Sequence, residues 1–148
     1  MEKEQTGPKQ LMAAKAAFRE NWPIFSDLVE DFPDFQLAPG LAEEEIGKLE
    51  ENLGFELHPD LEKLFSCCAS LSMNGLAIRA DQLGTIRLPD SEALILGYLN
   101  LGNAADRLMM RPGDASLYYL EQHNGAITKI AENIDAFFNV VLPRRLYG

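Results

Sequence analysis

Cysteine is scarce in this sequence of 148 residues, and its only two cysteines are neighbours, Cys67 and Cys68. Adjacent residues on a helix point about 100° apart, so their side chains cannot form an ordinary unstrained disulfide. Because no other cysteine is present to pair with them, we expect a protein of a reducing compartment. The pair also lacks the gap of roughly two to four residues that lets two cysteines reach one zinc ion. We therefore expect no metal site.

Long apolar runs are also missing. No stretch approaches the roughly 20 residues that a membrane-spanning helix needs. Residues 1–10 are polar and lack the apolar segment of a secretory signal. The sequence therefore predicts a cytoplasmic protein that has no membrane partner.

Basic residues are few, since 13 lysines and arginines stand against 23 aspartates and glutamates, for a formal net charge of −10. A nucleic acid or an anionic membrane requires a basic surface, so neither is the expected partner. The acidic charge would instead attract a basic protein and speed its encounter with this chain. The simpler interpretation is that the charge keeps the protein soluble.

Catalytic motifs are absent as well. His58 and His123 are the only histidines, and they fall at a predicted helix start and in a predicted hairpin turn. A cysteine paired with one of them would be a nucleophile only if the thiol were exposed and had a low pKa. A cysteine on an apolar helix face is more often a small buried hydrophobe. Residues 97–102 contain neither the lysine nor the spacing of a phosphate-binding loop, so we predict no catalytic residue, no cofactor and no enzyme.

The most informative stretch that is present covers residues 41–75, which we interpret as two amphipathic helices and a turn. In the first helix, apolar residues recur at helical spacing and Gly54 follows as a stop signal. Pro59 suits the first position of the second helix, where no backbone N–H is needed. Asn74-Gly75 can adopt positive φ and predicts a turn into a strand. The apolar positions of the two helices are Ile46, Leu49 and Leu53, then Leu61, Leu64, Phe65, Cys68 and Leu71.

The residues before this stretch divide into a tail and a helical segment. We expect residues 1–9 to be disordered and residues 10–35 to form a helical extension, interrupted at Pro23. Trp22, the single tryptophan, is predicted to pack this extension onto the main domain, which covers residues 36–148 and begins with a linker. Two roles stay open for the extension: it completes the core, or it forms a dimer contact. The aromatic residues available for either role are Phe18, Trp22 and Phe25.

Beyond residue 75 the pattern changes to short runs of strand length. His123-Asn124-Gly125 is the clearest hairpin signal, and a final helix follows, capped by Asn133 or Asp135. Helices followed by strands and then one helix predict an α+β fold with a mostly antiparallel sheet of about five or six strands. The predicted strands are residues 76–80, 85–88, 93–99, 107–111, 116–122 and 126–130.

Several short motifs, among them Glu43–Ile46, Leu53-Gly54, Pro59-Asp60-Leu61 and Tyr118-Tyr119, are spread over roughly the last two-thirds of the chain. Together they resemble the SUKH superfamily. The resemblance implies a SUKH-like α+β domain. The superfamily often has Ser or Thr before its first helix, whereas this chain has Gly40-Leu41-Ala42; glycine is an acceptable helix cap, so only the start of the helix is affected. The matching positions are Glu43, Glu44, Glu45, Ile46, Glu50, Leu53, Gly54, Leu57, Pro59, Asp60, Leu61, Leu64, Phe65, Asn74, Gly75, Tyr118, Tyr119, Asn124, Gly125 and residues 127–131.

Acidic residues near tyrosines are the best candidates for a binding surface. Tyrosine gives a large contact area at low entropic cost, and carboxylates give charge complementarity. Tyr118 and Tyr119 must point to opposite faces if they lie on a strand, so at most one of them belongs naturally to the core. The predicted partner-binding residues are Asp81, Asp90, Asp114, Tyr118, Tyr119 and Glu121.

The resemblance implies two functions, both of them non-enzymatic. Many bacterial members of the superfamily are immunity proteins, so this chain would neutralise a cognate toxin by forming a tight complex with it. In view of the acidic net charge, the expected partner is a basic toxin domain. The alternative is a regulatory or scaffold domain of the cell-wall-regulator type that binds a cellular partner. A gene for a large secreted toxin beside this one would favour the first function.

Overall fold

The computed structural model describes residues 8–30, 32, 34–73, 75–99, 106–121 and 124–147. Its helices lie at the two ends of the chain and between the first two strands, and the last three segments follow one another without a break. They are α1 (Pro8–Asn21), α2 (Pro23–Val29), α3 (Glu43–Leu53), α4 (Pro59–Cys67), α5 (Ile134–Ala136), a π-helical turn (Phe137–Val141) and α6 (Leu142–Tyr147).

Within the residues that the structure describes, eight strands form one sheet in which every pairing is antiparallel, in the order β1-β2-β3-β5-β6-β7-β8. The remaining strand, β4, pairs with the same edge of β5 as β3 does, and the helical turn Ala80–Gln82 separates these two. The predicted α+β class with a mostly antiparallel sheet is confirmed. The strands are β1 (Gln36–Pro39), β2 (Cys68–Met73), β3 (Leu76–Arg79), β4 (Gly84–Arg87), β5 (Glu92–Leu99), β6 (Arg107–Met110), β7 (Leu117–Leu120) and β8 (Ile127–Ala131).

The sheet has more strands than the predicted five or six because the sequence pattern concealed β1 and β2. We interpreted residues 36–40 as a linker, but Gln36–Pro39 pairs with β2. We also placed Cys68 and Leu71 on a helix, whereas α4 ends at Cys67 and the backbone becomes extended at Cys68 without an intervening loop. The position of Leu71 fits both the apolar stripe of a helix and the alternation of a strand. It lies in a strand because β2 pairs with β1 on one side and with β3 on the other.

The predicted signals at the helix ends are confirmed. The His58 side chain accepts a hydrogen bond from the backbone N–H of Asp60 at 3.1 Å, and Pro59 opens α4. Gly54 ends α3 with a φ of 65°, which favours glycine. Ahead of α3, the Glu45 carboxylate accepts from the N–H of Ala42 at 2.8 Å. Because alanine has no side-chain acceptor, Glu45 provides only half of a capping box.

The N-terminal helices complete the core. Phe18, Trp22 and Phe25 are essentially inaccessible to solvent, and all three rings contact the ring of Phe138 from the C-terminal helical segment, with centroids 5.1–5.5 Å apart. The Trp22 Nε1–H also donates to Asp135 at 2.7 Å. These rings are therefore buried inside the chain rather than presented to a second copy, which favours the first of the two roles left open above and the predicted packing of Trp22.

Other predictions meet the structure only in part. Residues 1–7 of the expected disordered tail lie outside the described residues, whereas Pro8 and Lys9 already belong to α1. Asn74 and His123 also lie outside them, but Gly75 and Gly125 have φ values of 88° and 72° between paired strands, as the turn signals predicted. In the described parts of the chain, no helix is long and apolar enough to cross a membrane.

Candidate binding face

The sheet separates two apolar clusters. On one face, the core face, Leu94, Met110 and Leu117 line up across β5, β6 and β7 and pack against the helices. On the opposite face, which we call the outer face, a smaller cluster is formed from strands and the β4–β5 turn, and none of its members belongs to a helix. Its members are Leu88, Ala93 and Met109, with Ile86, Tyr118, Leu120 and Ile127 partly buried against them.

The outer face carries a row of cross-strand neighbours that remains open to solvent. Tyr98 of β5 lies opposite Arg107 of β6, Arg107 opposite Leu120 of β7, and Leu120 opposite Ile127 of β8. We call these four residues the outer ladder. Tyr98 is 41% exposed, a large value for an aromatic residue in a sheet. The Arg107 guanidinium stacks over its ring at 5.0 Å and has no ion pair within the described residues.

One end of the outer face holds a connected group of charged and aromatic side chains. Arg111 lies over the Tyr118 ring at 5.1 Å, and its Nη1 is 3.6 Å from the carboxylate of Asp90. The Tyr118 hydroxyl donates to Asp114 at 2.6 Å. The structure thus brings together three of the predicted binding residues, and it joins them through an arginine that the prediction omitted.

The hydrogen bond between Tyr118 and Asp114 changes the acidity of both groups. Donation by the Tyr118 hydroxyl, with a further bond from the Ser116 N–H, lowers the pKa of Asp114, because both bonds favour the ionised carboxylate. The same bond raises the pKa of Tyr118, because the phenol must stay protonated to donate. The Asp114 charge is therefore retained to a lower pH than that of an isolated aspartate.

The neighbouring tyrosine points the other way. Tyr119 is buried on the core face, where its hydroxyl donates to the carboxylate of the buried Asp106. The strand alternation predicted that the pair would split, and the structure shows that Tyr118 belongs to the outer face. Tyr119 thus acts within the core and is not available as a surface contact.

The two remaining predicted residues lie apart from this group. Asp81 is exposed in the helical turn between β3 and β4. Glu121 follows β7, whereas Asp114 precedes it, so these two carboxylates lie at opposite ends of one strand. The six predicted residues therefore do not form a single patch.

The prediction missed the two arginines that organise the outer face. Arg107 and Arg111 lie at the two ends of the predicted strand 107–111, but the net charge of −10 favours acidic residues as binding candidates. The sequence does contain a signal for their common position, because side chains on a strand point alternately to its two faces. Residues 107, 109 and 111 must therefore share one face. Their partners Tyr98 and Tyr118 could not be assigned without the register between strands.

The cysteines lack the properties of nucleophiles. Both are buried, and burial raises the pKa of the Cys67 thiol and raises that of Cys68 to about 12. His58 is occupied as a helix cap. In the portion of the chain that the structure covers, no three side chains of the metal-ligating types gather at one place.

No protein-family model, curated protein or solved structure matches this chain.

Proposed function

We propose that this chain is a non-enzymatic, cytoplasmic protein-binding module that uses the outer face of its sheet. The observation that supports this most strongly is the outer ladder, in which an exposed tyrosine and a stacked arginine stand beside two half-buried aliphatic residues. Tyrosine and arginine are enriched among the residues that dominate binding energy in protein interfaces. In the chain alone, these four side chains stay partly exposed to solvent. A protein partner would bury them, so a protein is the occupant that this face suits.

The proposed interface has an apolar centre and a charged rim. Leu120 and Ile127 supply the apolar contact, while Arg107 offers a guanidinium that is already oriented by the ring of Tyr98. Asp114, whose pKa is lowered by its bond from Tyr118, contributes negative charge at the edge. With a net charge of −10, the chain would attract a basic partner over a distance comparable to the screening length of the solution.

We propose further that this partner is a basic toxin domain and that the chain is an immunity protein of the SUKH type. The resemblance to that superfamily includes Tyr118, which lies on the outer face, and the hairpin that joins β7 to β8. In this mechanism, the outer face covers the active site or another essential surface of the toxin. A regulatory or scaffold domain would use the same face for a cellular partner, without neutralising a toxin.

The test begins with capture of the partner from a lysate of the protein's source by the tagged full chain, at low and at moderate salt, with identification by mass spectrometry. The purified partner is then titrated against the chain by calorimetry. Tyr98→Ala should weaken binding by about 30-fold, as the loss of an interface hot spot does. Ile24→Ala, which removes a residue that is 55% exposed on α2, is the matched control and should change affinity by less than about twofold.

The outcomes separate the two functions. A basic toxin whose growth inhibition is relieved by the wild-type chain, and poorly by Tyr98→Ala, supports the immunity function. A signalling or envelope protein that binds with the same sensitivity to Tyr98 supports the regulatory alternative. A partner that binds both variants equally well overturns the assignment to the outer face, and the absence of any stoichiometric partner at either salt concentration overturns the binding function.

A further inference from the structure

A second concave site lies away from the outer ladder, between α3 and the adjoining ends of β1, β2 and β3. Its cavity volume is about 360 Å³, and none of the four ladder residues lines it. This volume falls in the range of roughly 300–1,000 Å³ that is typical of small-ligand sites. We call it the α3 cleft.

One wall of the α3 cleft is a stripe of α3. Glu45, Lys48, Leu49 and Asn52 line it, and they recur at the spacing that places residues on one side of a helix. In this helix only Ile46 is fully buried, whereas Leu49 is half-buried. The helix therefore presents an accessible aliphatic side chain and a lysine to the same space.

The opposite wall combines small apolar residues with polar ones. Ala69 and Ala80 give it a shallow apolar surface, and Ser70 and Arg79 lie directly across from each other where β2 pairs with β3. Small side chains at these positions leave room that larger ones would fill. The cleft thus joins an apolar floor to a hydroxyl and a guanidinium.

The charges in the cleft leave two cations without an acid partner. Within the described residues, no ion pair engages Lys48 or Arg79. The Glu45 carboxylate is occupied by the N–H of Ala42, and Asp81 is the single other acid that lines the site. Lys48 and Arg79 are therefore both available to bind a carboxylate, whereas the negative charges of Glu45 and Asp81 disfavour an anion that carries more than one charge.

We infer that the α3 cleft binds a small aliphatic carboxylate. The aliphatic chain of the ligand lies against Leu49 and the two alanines. Its carboxylate receives charge-assisted hydrogen bonds from Arg79 and Lys48. Asp81 disfavours a doubly charged anion. The same chemistry is offered by a free short-chain acid and by the C-terminus of a peptide that ends in a leucine-sized residue.

The experiment is a titration of the ¹⁵N-labelled full chain with 4-methylpentanoate, followed through backbone amide shifts. Saturable shifts are expected for residues of the cleft, such as Leu49, Ser70 and Arg79. Arg79→Gln should raise the dissociation constant at least about tenfold, because it removes a charge-assisted contact. Arg87→Gln, on the exposed part of β4, makes the same change outside the cleft and should leave the constant within about twofold.

Titrations with two further compounds identify the ligand more closely. The neutral 4-methylpentanamide should bind at least about tenfold more weakly than the acid, since it lacks the charge. Acetyl-glycyl-leucine binding more tightly than 4-methylpentanoate would assign the site to a peptide C-terminus, and the reverse order would assign it to a free acid. The inference would be overturned by any of four results: no saturable shifts, shifts outside the cleft, equal binding of acid and amide, or a dissociation constant that Arg79→Gln leaves unchanged. None of these results bears on the outer face.

Discussion

Tyr118 and Tyr119 are adjacent in the chain, and each donates its hydroxyl hydrogen to a different aspartate on an opposite face of the sheet. On the outer face Tyr118 bonds to Asp114, which is only partly buried. On the core face Tyr119 bonds to Asp106, which is fully buried. Because the chemical change Tyr→Phe is identical at both positions, the pair allows a direct comparison of what burial adds to one hydrogen bond.

Tyr119→Phe should destabilise the protein more than Tyr118→Phe. Removal of the Tyr119 hydroxyl leaves the buried Asp106 side chain with one hydrogen bond fewer, and we expect a loss of about 2 kcal/mol. On the outer face, water replaces the lost donor, and we expect about 0.5–1 kcal/mol. The free energy of unfolding by urea at pH 7 measures both. Equal losses would show that Asp106 is satisfied without Tyr119.

The bond between Tyr118 and Asp114 also predicts a dependence of stability on pH. The pKa of Asp114 is lowered in the folded state, so its contribution is fully present above the unfolded pKa of about 4 and is lost as the pH falls through the folded value. The pKa of Tyr118 is raised, so its contribution is lost only as the pH rises beyond about 10. The difference in unfolding free energy between wild type and Tyr118→Phe should therefore be greatest between these limits.

A carboxyl-carbon NMR titration provides the direct check on this bond. In Tyr118→Phe the pKa of Asp114 should rise toward its ordinary value, because the largest cause of the shift is removed while the bond from Ser116 remains. Tyr98→Phe is a suitable control, since Tyr98 also lies on the outer face but has no hydrogen bond to Asp114. An unchanged Asp114 titration in Tyr118→Phe would contradict the assigned cause.

Both thiols should react slowly in the native protein. At pH 8 a thiol with a pKa of about 12 is ionised in only about one molecule in ten thousand. Labelling with a chromogenic disulfide reagent should accordingly be much slower than in urea, with Cys67 faster than Cys68 because its environment is less desolvated. The single variants Cys67→Ser and Cys68→Ser isolate each rate. Rapid native labelling at either position would reopen a role for the cysteine as a nucleophile.

Removal of the Trp22–Asp135 hydrogen bond should weaken the attachment of the N-terminal helices to the core. Asp135→Ala eliminates the acceptor and should cost about 1 kcal/mol, whereas Asp135→Asn keeps an oxygen in place and should cost less. Trp22 is the only tryptophan, so tryptophan fluorescence reports on the surroundings of this one side chain. We expect a larger red shift of emission for the alanine variant. Identical behaviour of the two variants would indicate that the aromatic packing alone holds the helices.

Prediction from sequence succeeded where the signal was local. The proline at the start of α4, the glycine at the end of α3 and the Asn133 side chain that caps α5 depend on a few neighbouring residues, and each behaves as predicted. The core role of Trp22 followed from its size and its place in a helical stripe. These features require no knowledge of which strand lies beside which.

Prediction failed where pairing between distant strands decides the structure. β1 is four residues long and includes Pro39, so it has no strong strand signal of its own and exists because β2 lies beside it. The stacking of Arg107 on Tyr98 likewise depends on the register between β5 and β6. An irregularity inside β5 shifts that register, and Gly97 is compatible with such an irregularity but does not reveal the register that results.

Gly97 lies at the irregularity in β5 and gives the sharpest prediction for stability. The register with β6 shifts between Ile95 and Gly97, and a Cβ at Gly97 would come within 1.8 Å of the carbonyl oxygen of Ala77. Gly97→Ala must therefore displace the β3 backbone, and we expect a loss of at least about 2–3 kcal/mol.

Gly47 offers the matched control for this substitution. It lies exposed in α3, and a Cβ there meets no atom within 4 Å. Gly47→Ala should stabilise the protein by about 0.5–1 kcal/mol, because alanine loses less conformational freedom in a helix. Urea unfolding should therefore show a lower free energy of unfolding for Gly97→Ala and a higher one for Gly47→Ala, although the chemical change is the same. If Gly97→Ala were neutral, β3 and β5 would not approach as closely as the structure describes, and the position of Tyr98 on the outer ladder would need revision.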